Sequence, residues 1–309
     1  MESHQELSGR TYQIVGVAQI AEQTSAFLKW LSSPIKDCLT ETFMTNNGSF
    51  IIRNKERGYN NIHSQILPSG ANPVAKHSTY LAGHPDAYLV RHSSFNFHEY
   101  QDGIDGFGKI RCFGDEIFSP NGCGYNMHPH HNFCIMSFVL DGTLTHINTA
   151  GKNGMVDALN KDDFYIFNTG SGGKHSELNI STLNELNAIY IWVIPDKLYS
   201  PTAYHRSHYD PNKNINKIIS LIGNNIEDAL PIEQDFKVSR LTSENNKNYQ
   251  YETKSEYHGL YIFVIDGSIE IEKNVLERRD SMGFYGGVST INFSAKSEKT
   301  DILIVETVM

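Results

Sequence analysis

From about residue 86 onward the chain alternates short apolar runs with turn chemistry. The runs 133–140 (FCIMSFVL), 143–147 (TLTHI), 163–168 (DFYIFN) and 188–194 (AIYIWVI) are strand-length and rich in β-branched and aromatic residues. Gly, Asp, Asn or Pro bounds them. Asp141-Gly142 falls between the first two runs, a short-range hairpin signature. The series predicts an all-β barrel or sandwich. The upstream chain reads differently. Val17, Ile20, Phe27, Leu28 and Leu31 recur near one face at helical spacing, and Pro34 ends the run. That predicts a helix over about 16–32 that packs on the domain behind it. Residues 48–53 (GSFIIR) read as a strand. The stretch from about 55 to 85, rich in Asn, Gly, Pro, Ser and His, reads as loop.

One pattern occurs twice. Residues 137–147 (SFVLDGTLTHI) and 262–272 (IFVIDGSIEIE) are both strand, Asp-Gly, strand, 125 residues apart, and similar tails follow (LNKDDF at 159–164, LERRDSMGF at 276–284). Two tandem β units are the economical explanation. The expected organisation is an all-β chain of two tandem, jelly-roll-like β-barrel domains, 88–200 and 201–309. A helix-containing N-terminal extension, 1–87, precedes them.

Composition narrows the function classes. The chain has 309 residues, of which 39% are apolar and 11% aromatic, enough for sizeable cores. A net charge of -9 argues against a direct nucleic-acid binder, which needs a basic face for phosphates. The four cysteines, Cys38, Cys112, Cys123 and Cys134, show no C-x-x-C pair and are too few for a disulfide scaffold. No apolar run approaches the roughly 20 residues that span a bilayer. The opening MESHQELSGRTYQ lacks an apolar signal-peptide core. A cytoplasmic protein with no membrane partner is expected.

The chemistry concentrates in two short segments. His128-Pro129-His130 immediately precedes the first repeat. In extended chain, residues i and i+2 project to the same side, so the two imidazoles face one point. Pro129 stiffens the segment. His175-Ser176-Glu177 places an imidazole and a carboxylate in the same relation. Two such pairs beside strands of one small barrel can converge on one ion. His131 turns to the side opposite His130. His146, on the strand after Asp-Gly, is open to a core, supporting or surface role, and both stay outside the ligand set. Three neutral imidazoles and one carboxylate leave open positions on an octahedral ion. That suits Fe(II), Mn(II), Co(II), Ni(II) or Cu(II), with zinc allowed by ligand type. A 125-residue offset sets Thr253 and Ser255 opposite His128 and His130, so the second unit is expected to lack a metal site.

At these residues the sequence resembles the pirin family of the cupin superfamily. Members carry HPHRGFE or HPHRDME, then a strand ending in VLEG or VLDG; here 128–142 reads HPHHNFCIMSFVLDG. A run like EHRDSLGNSG corresponds to THINTAGKNG at 145–154, and PGDVQWMTAGSGIVHSE to NKDDFYIFNTGSGGKHSE at 160–177. Upstream, SSFNFHEYQDGIDGFGKIR at 93–111 is similar to HTFSFADYYDP…GFGALR. The resemblance implies a bicupin fold and one divalent transition metal, Fe(II) first. Its ligands are His128, His130, His175 and Glu177, with Glu177 also the candidate catalytic base. It implies a quercetin 2,3-dioxygenase type of activity, with a small aromatic substrate and O2 as partners. The family also contains non-catalytic, metal-containing regulators, for which the extension is a candidate protein-docking element. Departures fall at His131, Cys134 and Lys161-Asp162-Asp163. They are expected to line or support the pocket and to alter substrate preference.

Overall fold

A computed structural model describes residues 48–61, 81–82, 87–95, 106–151 and 154–309. The helix expected over 16–32 lies outside the described residues. Within them the one helical element is the 3-10 turn Asn54–Glu56, and no helix is long and apolar enough to cross a membrane.

Two large sheets and two small ones account for the rest. The first large sheet runs, in spatial order, β13 (Ala203–His208), β10 (Asp163–Asn168), β7 (Cys134–Asp141), β12 (Leu186–Val193), β5 (Ile110–Phe118), β4 (Leu89–Phe95) and β2 (Gly58–Asn61). The small sheet facing it runs β3 (Leu81–Ala82), β6 (Cys123–His130), β11 (Gly173–Asn179), β8 (Thr143–Asn148) and β9 (Met155–Asn160). The second large sheet runs β1 (Gly48–Ile52), β21 (Ser281–Tyr285), β18 (His258–Asp266), β23 (Lys299–Val308), β16 (Phe236–Glu244), β14 (Ile218–Gly223) and β15 (Leu230–Pro231). Its small partner runs β17 (Asn248–Glu252), β22 (Thr290–Ala295), β19 (Ile269–Ile271) and β20 (Asn274–Leu276).

The two halves repeat one strand order, as the bicupin expectation requires, and the repeated sequence pattern falls on β7–β8 and β18–β19. The segment 55–85 is not all loop, since β2 and β3 lie in it. Edge strands are exchanged. β1, from the segment read as an extension, hydrogen-bonds β21 in the second large sheet. β13, past residue 200, hydrogen-bonds β10 in the first.

The Asp-Gly pairs do not make hairpins. β7 pairs with β10 and β12, and β8 with β11 and β9. Asp141-Gly142 is a corner where the chain leaves one sheet for the other, and Asp266-Gly267 is its counterpart. Gly142 and Gly267 have φ of +78° and +75°. A Cβ would lie 2.4 Å from the Glu185 carbonyl oxygen at Gly142, and 2.3 Å from that of Lys299 at Gly267. Glycine is required there by backbone conformation and by close approach of the next strand. Both arrangements need a left-handed residue between two apolar strands, so the local sequence does not separate them.

The large sheets pack on each other. Met136, Phe138 and Leu140 of β7 meet Tyr261, Phe263 and Ile265 of β18 in one buried cluster that also takes Ile189, Ile191, Leu303 and Val305. Alternate residues of the same strands point inward: Leu260, Ile262 and Val264 join the second barrel's core. Both faces of these strands are therefore buried, which explains their unbroken hydrophobicity.

Candidate metal centre

β6 and β11 are neighbours, and their register sets His128 directly across from His175. A bulge between His175 and Glu177 then pairs Glu177 with Tyr125. Gly124, at φ +150°, makes this crossing feasible, because a Cβ there would lie 2.0 Å from the Glu177 carbonyl oxygen. Three rings converge: centroids are 4.8 Å apart for His128–His130, 4.5 Å for His128–His175 and 4.9 Å for His130–His175. One ring nitrogen from each lies within 4.8 Å of the others. Glu177 Oε2 is 3.8 Å from His175 Nε2. It groups with His175 and His146 rather than with all three rings. His128 and His130 are half-buried while His175 and Glu177 are buried, so the cluster is approached from the β6 side.

The donor set fits a divalent cation. The Nε2 atoms of His130 and His175 are buried without a hydrogen-bond partner. His128 Nδ1 lies 2.6 Å from the Asn126 carbonyl. A carbonyl can only accept, so the proton sits on Nδ1 and Nε2 carries the lone pair. Burial lowers all three imidazole pKa values, that of His130 to about 3. The rings are therefore neutral, the state a metal needs. Burial pushes the Glu177 carboxyl up to about 8, against a lowering hydrogen bond from Tyr165. A carboxyl held this far from its usual range is one that a neighbouring cation would return to the anion.

Two further side chains hold this half of the centre. His146, fully buried on β8, is cross-strand from Glu177, and its Nε2 lies 3.2 Å from His175 Nδ1. Tyr165, fully buried on β10, donates a short hydrogen bond to Glu177 Oε1. The rings of His146 and Tyr165 stack at 4.3 Å, and Tyr204 lies 5.1 Å from His146 and 5.6 Å from Tyr165, so the three rings form one cluster. Sequence reasoning left His146 undecided and passed over Tyr165. On β8 the alternate residues Leu144, His146 and Asn148 are all buried, which sets His146 inside the barrel.

The departures from the family pattern lie elsewhere. Cys134 is in the core between the large sheets, beside Met136 and Phe138 in the alternation of β7, and burial pushes its thiol up to about 12. Asp162 faces the second barrel, 2.7 Å from Arg240. His131 is exposed beyond the end of β6. Cys134 and Asp162 therefore do not line the metal pocket. The outward face of β7 and the 160–163 turn point to the other barrel.

The second barrel fills the equivalent space with aliphatic and aromatic side chains, of which only the Tyr251 hydroxyl is polar, and it donates to Glu306 at 2.9 Å. Cross-strand register equates His128–His175 with Tyr251–Ile291, and His146–Glu177 with Ile271–Phe293. These four belong to one apolar core. The counterpart of His128 is thus Tyr251 and not Thr253. The 125-residue offset holds for β5, β7 and β8, and the β6 bulge and unequal connections break it at β6 and again after β8. Among the described residues, the His/Cys/Asp/Glu groups able to hold an ion both lie in the first barrel.

Fold and site together define a two-barrel cupin with a histidine-rich cluster in its first barrel. Residues 81–193 match the Pirin family profile, and residues 218–307 match the profile of the quercetinase C-terminal cupin domain. The chain belongs to the pirin family. It is 26% identical over 191 residues to the quercetin 2,3-dioxygenase of Escherichia coli K12, covering 61% of this chain and 80% of that one. It is 27% identical over 207 residues to a pirin-like protein of Caulobacter vibrioides, covering 66% and 86%. The crystal structure of the E. coli bacterial pirin YhhW in complex with nickel(II) superposes with a TM-score of 0.69 at 20% identity, covering 84% of this chain and 99% of that one.

Proposed function

We propose that this chain is a metal-dependent dioxygenase of the quercetin 2,3-dioxygenase type, acting on a flavonol with O2. In this reading His128, His130, His175 and Glu177 hold one divalent transition metal, Fe(II) first, with Mn, Co, Ni or Cu as alternatives. The observation that carries it is the pair of buried, unpartnered Nε2 atoms of His130 and His175 beside His128, in the barrel whose counterpart is apolar. A divalent ion bound there supplies Lewis acidity toward a deprotonated enol oxygen.

The chain's own residues do the remainder. The Asn126 carbonyl fixes the tautomer of His128. Tyr165 steadies one oxygen of Glu177 and leaves Oε2 on the His175 side. That oxygen is the candidate acceptor for the proton of the substrate hydroxyl. Trp192, part-exposed with its ring 4.8 Å from His130 and backed by buried Phe133 at 5.5 Å, offers aromatic surface for a flat substrate beside the cluster.

The test joins metal analysis to an oxygen-uptake assay with quercetin, on the parent protein and on His128→Ala. Near-stoichiometric metal and quercetin-dependent uptake, both lost in the variant, are expected. Stoichiometric metal without uptake would leave the non-catalytic regulator. Absence of metal after supplementation with Fe, Mn, Ni and Cu salts would remove both readings.

A further inference from the structure

The cleft between the barrels carries a second, separate cluster of buried charges. The 160–163 and 277–280 turns occupy equivalent places in the two halves. Asp162 and Arg279 both sit at positive φ, +69° and +71°. Their backbone N–H groups bond the equivalent carbonyls of Val139 and Val264 at 2.8 and 2.7 Å. Each side chain reaches across to the other barrel, with charges reversed. Asp162 meets Arg240 of β16 at 2.7 Å, and Arg279 meets Asp115 of β5 at 3.6 Å. Register confirms that Arg240 and Asp115 are counterparts, since they face Leu303 and Ile189 respectively.

The two clusters are balanced differently. Arg240 has a second carboxylate, Asp301, at 2.6 Å, so that side holds one cation and two anions. At the counterpart of Asp301 stands neutral Asn187, which accepts from Arg279 Nη2 at 2.8 Å. A second guanidinium, Arg57, also comes in on Asp115, at 3.1 Å. This side therefore holds two cations against one anion, and all three charged side chains are at most 7% exposed. Arg57 Nε and Arg279 Nη1 have no hydrogen-bond partner. Burial, then the charge of Arg57, lowers the pKa of neighbouring His92. A cavity of about 540 Å³ opens here, lined by Arg57, His92, Asp115, Asn187 and Arg279 among others. Of the other acids on its wall, Asp162 and Asp301 are held by Arg240, Asp266 by Arg278 at 3.1 Å, Glu185 accepts from Tyr88, and Asp141 is exposed to solvent.

A buried cation in excess is costly unless an anion or its hydrogen bonds offset it. Guanidinium groups take carboxylate and phosphate oxygens in directed, charge-assisted bonds. We propose that this cleft is an anion site, receiving one carboxylate or phosphate group of a small molecule against Arg57 and Arg279. It is distinct from the metal centre and shares no residue with it.

The test is calorimetric titration of the full chain with inorganic phosphate and, separately, with succinate, at ionic strength held constant with NaCl. Saturable one-site binding of at least one anion is expected, and the stronger arm names the group. Arg279→Gln should weaken binding by about tenfold or more, the loss of a charge-assisted hydrogen bond. Asp115→Asn raises the local positive excess. It should bind the anion more tightly than the parent and gain more thermal stability from it. These opposite signs separate an anion site from general damage to the cleft. Two results would overturn the proposal: no saturable binding of either anion to the parent, or weaker binding in Asp115→Asn.

Discussion

Replacing Tyr165 by Phe removes one oxygen atom and leaves the ring that stacks on His146 at 4.3 Å. The lost group donates to Glu177 Oε1 in a fully buried setting, so the carboxylate oxygen would be left without that partner. Hydrogen bonds to charged acceptors contribute roughly 1.5–3 kcal/mol. That corresponds to a metal affinity about 10–100-fold weaker, the range seen when groups supporting metal ligands are lost. A second consequence has the same sign. The Tyr165 hydrogen bond lowers the Glu177 pKa, which burial has pushed up to about 8. Without it the carboxyl rises further, more of it is protonated at neutral pH, and metal must displace that proton. The assay is titration of metal-free protein with Co(II) at pH 7.5, followed by calorimetry and by the visible spectrum of the complex. A weaker Kd with a shifted spectrum and near-parental melting in chelator is expected. Parental affinity and spectrum in Tyr165→Phe would refute the argument that this phenol positions Glu177.

Three other outcomes are expected. Adding Ni(II) to chelated parent protein should raise Tm, by the equivalent of about 2.7 kcal/mol at a hundredfold excess over Kd; His128→Ala should abolish the rise. Gly142→Ala puts a side chain at φ +78° and a Cβ 2.4 Å from the Glu185 carbonyl, so urea unfolding should show a loss of at least ~2 kcal/mol. Asp115→Asn leaves Arg57 and Arg279 buried without their carboxylate, a loss of about 3–5 kcal/mol near neutral pH. Burial alone would raise the Asp115 pKa, but Arg279 and Arg57 more than offset it and hold it below its ordinary 3.8. Its contribution is therefore full above pH ~4 and fades as pH falls through the folded value, so parent and variant should converge in urea midpoint below pH ~4.

The four proposed ligands were legible because each pair obeys a strictly local rule. Residues two apart in extended chain face one way, and His128/His130 and His175/Glu177 need nothing more. The supporting pair was not legible for reasons of topology. Which way His146 points depends on the route of the chain after Gly142. A hairpin and a sheet-to-sheet corner share the same Asp-Gly signature, and only the second brings His146 against His175. Tyr165 looks like any aromatic in DFYIFN until β10 is known to lie across from β11. Cys134 was misplaced because β7 is buried on both faces, so hydrophobicity carries no alternation there. The repeat was visible on β7 and β8, yet its offset failed at β6, where one bulged residue and unequal connections moved the counterpart of His128 to Tyr251.

The contrast between the barrels explains how a polar interior is tolerated. Inside the first lie Ser137, His146, Tyr165, Tyr190 and Glu177, each at most 4% exposed. Burying such groups yields little net stability even when they are bonded, and costs stability when they are not. The second barrel sets Ile271, Ile291 and Phe293 at three of the matching positions, where burial is favourable without any partner, and Tyr251 at the fourth, its hydroxyl bonded to Glu306. The halves are also bound through the Met136–Phe138 and Tyr261–Phe263 layers, and β1 and β13 cross-link their sheets. The apolar barrel and the shared layer thus hold the first sheet in shape independently of its interior. That leaves the interior free to be organised around three converging imidazoles. It also predicts where damage is tolerated: single substitutions at His128 or His146 should alter metal binding far more than melting temperature, whereas a polar group at Ile291 should do the reverse.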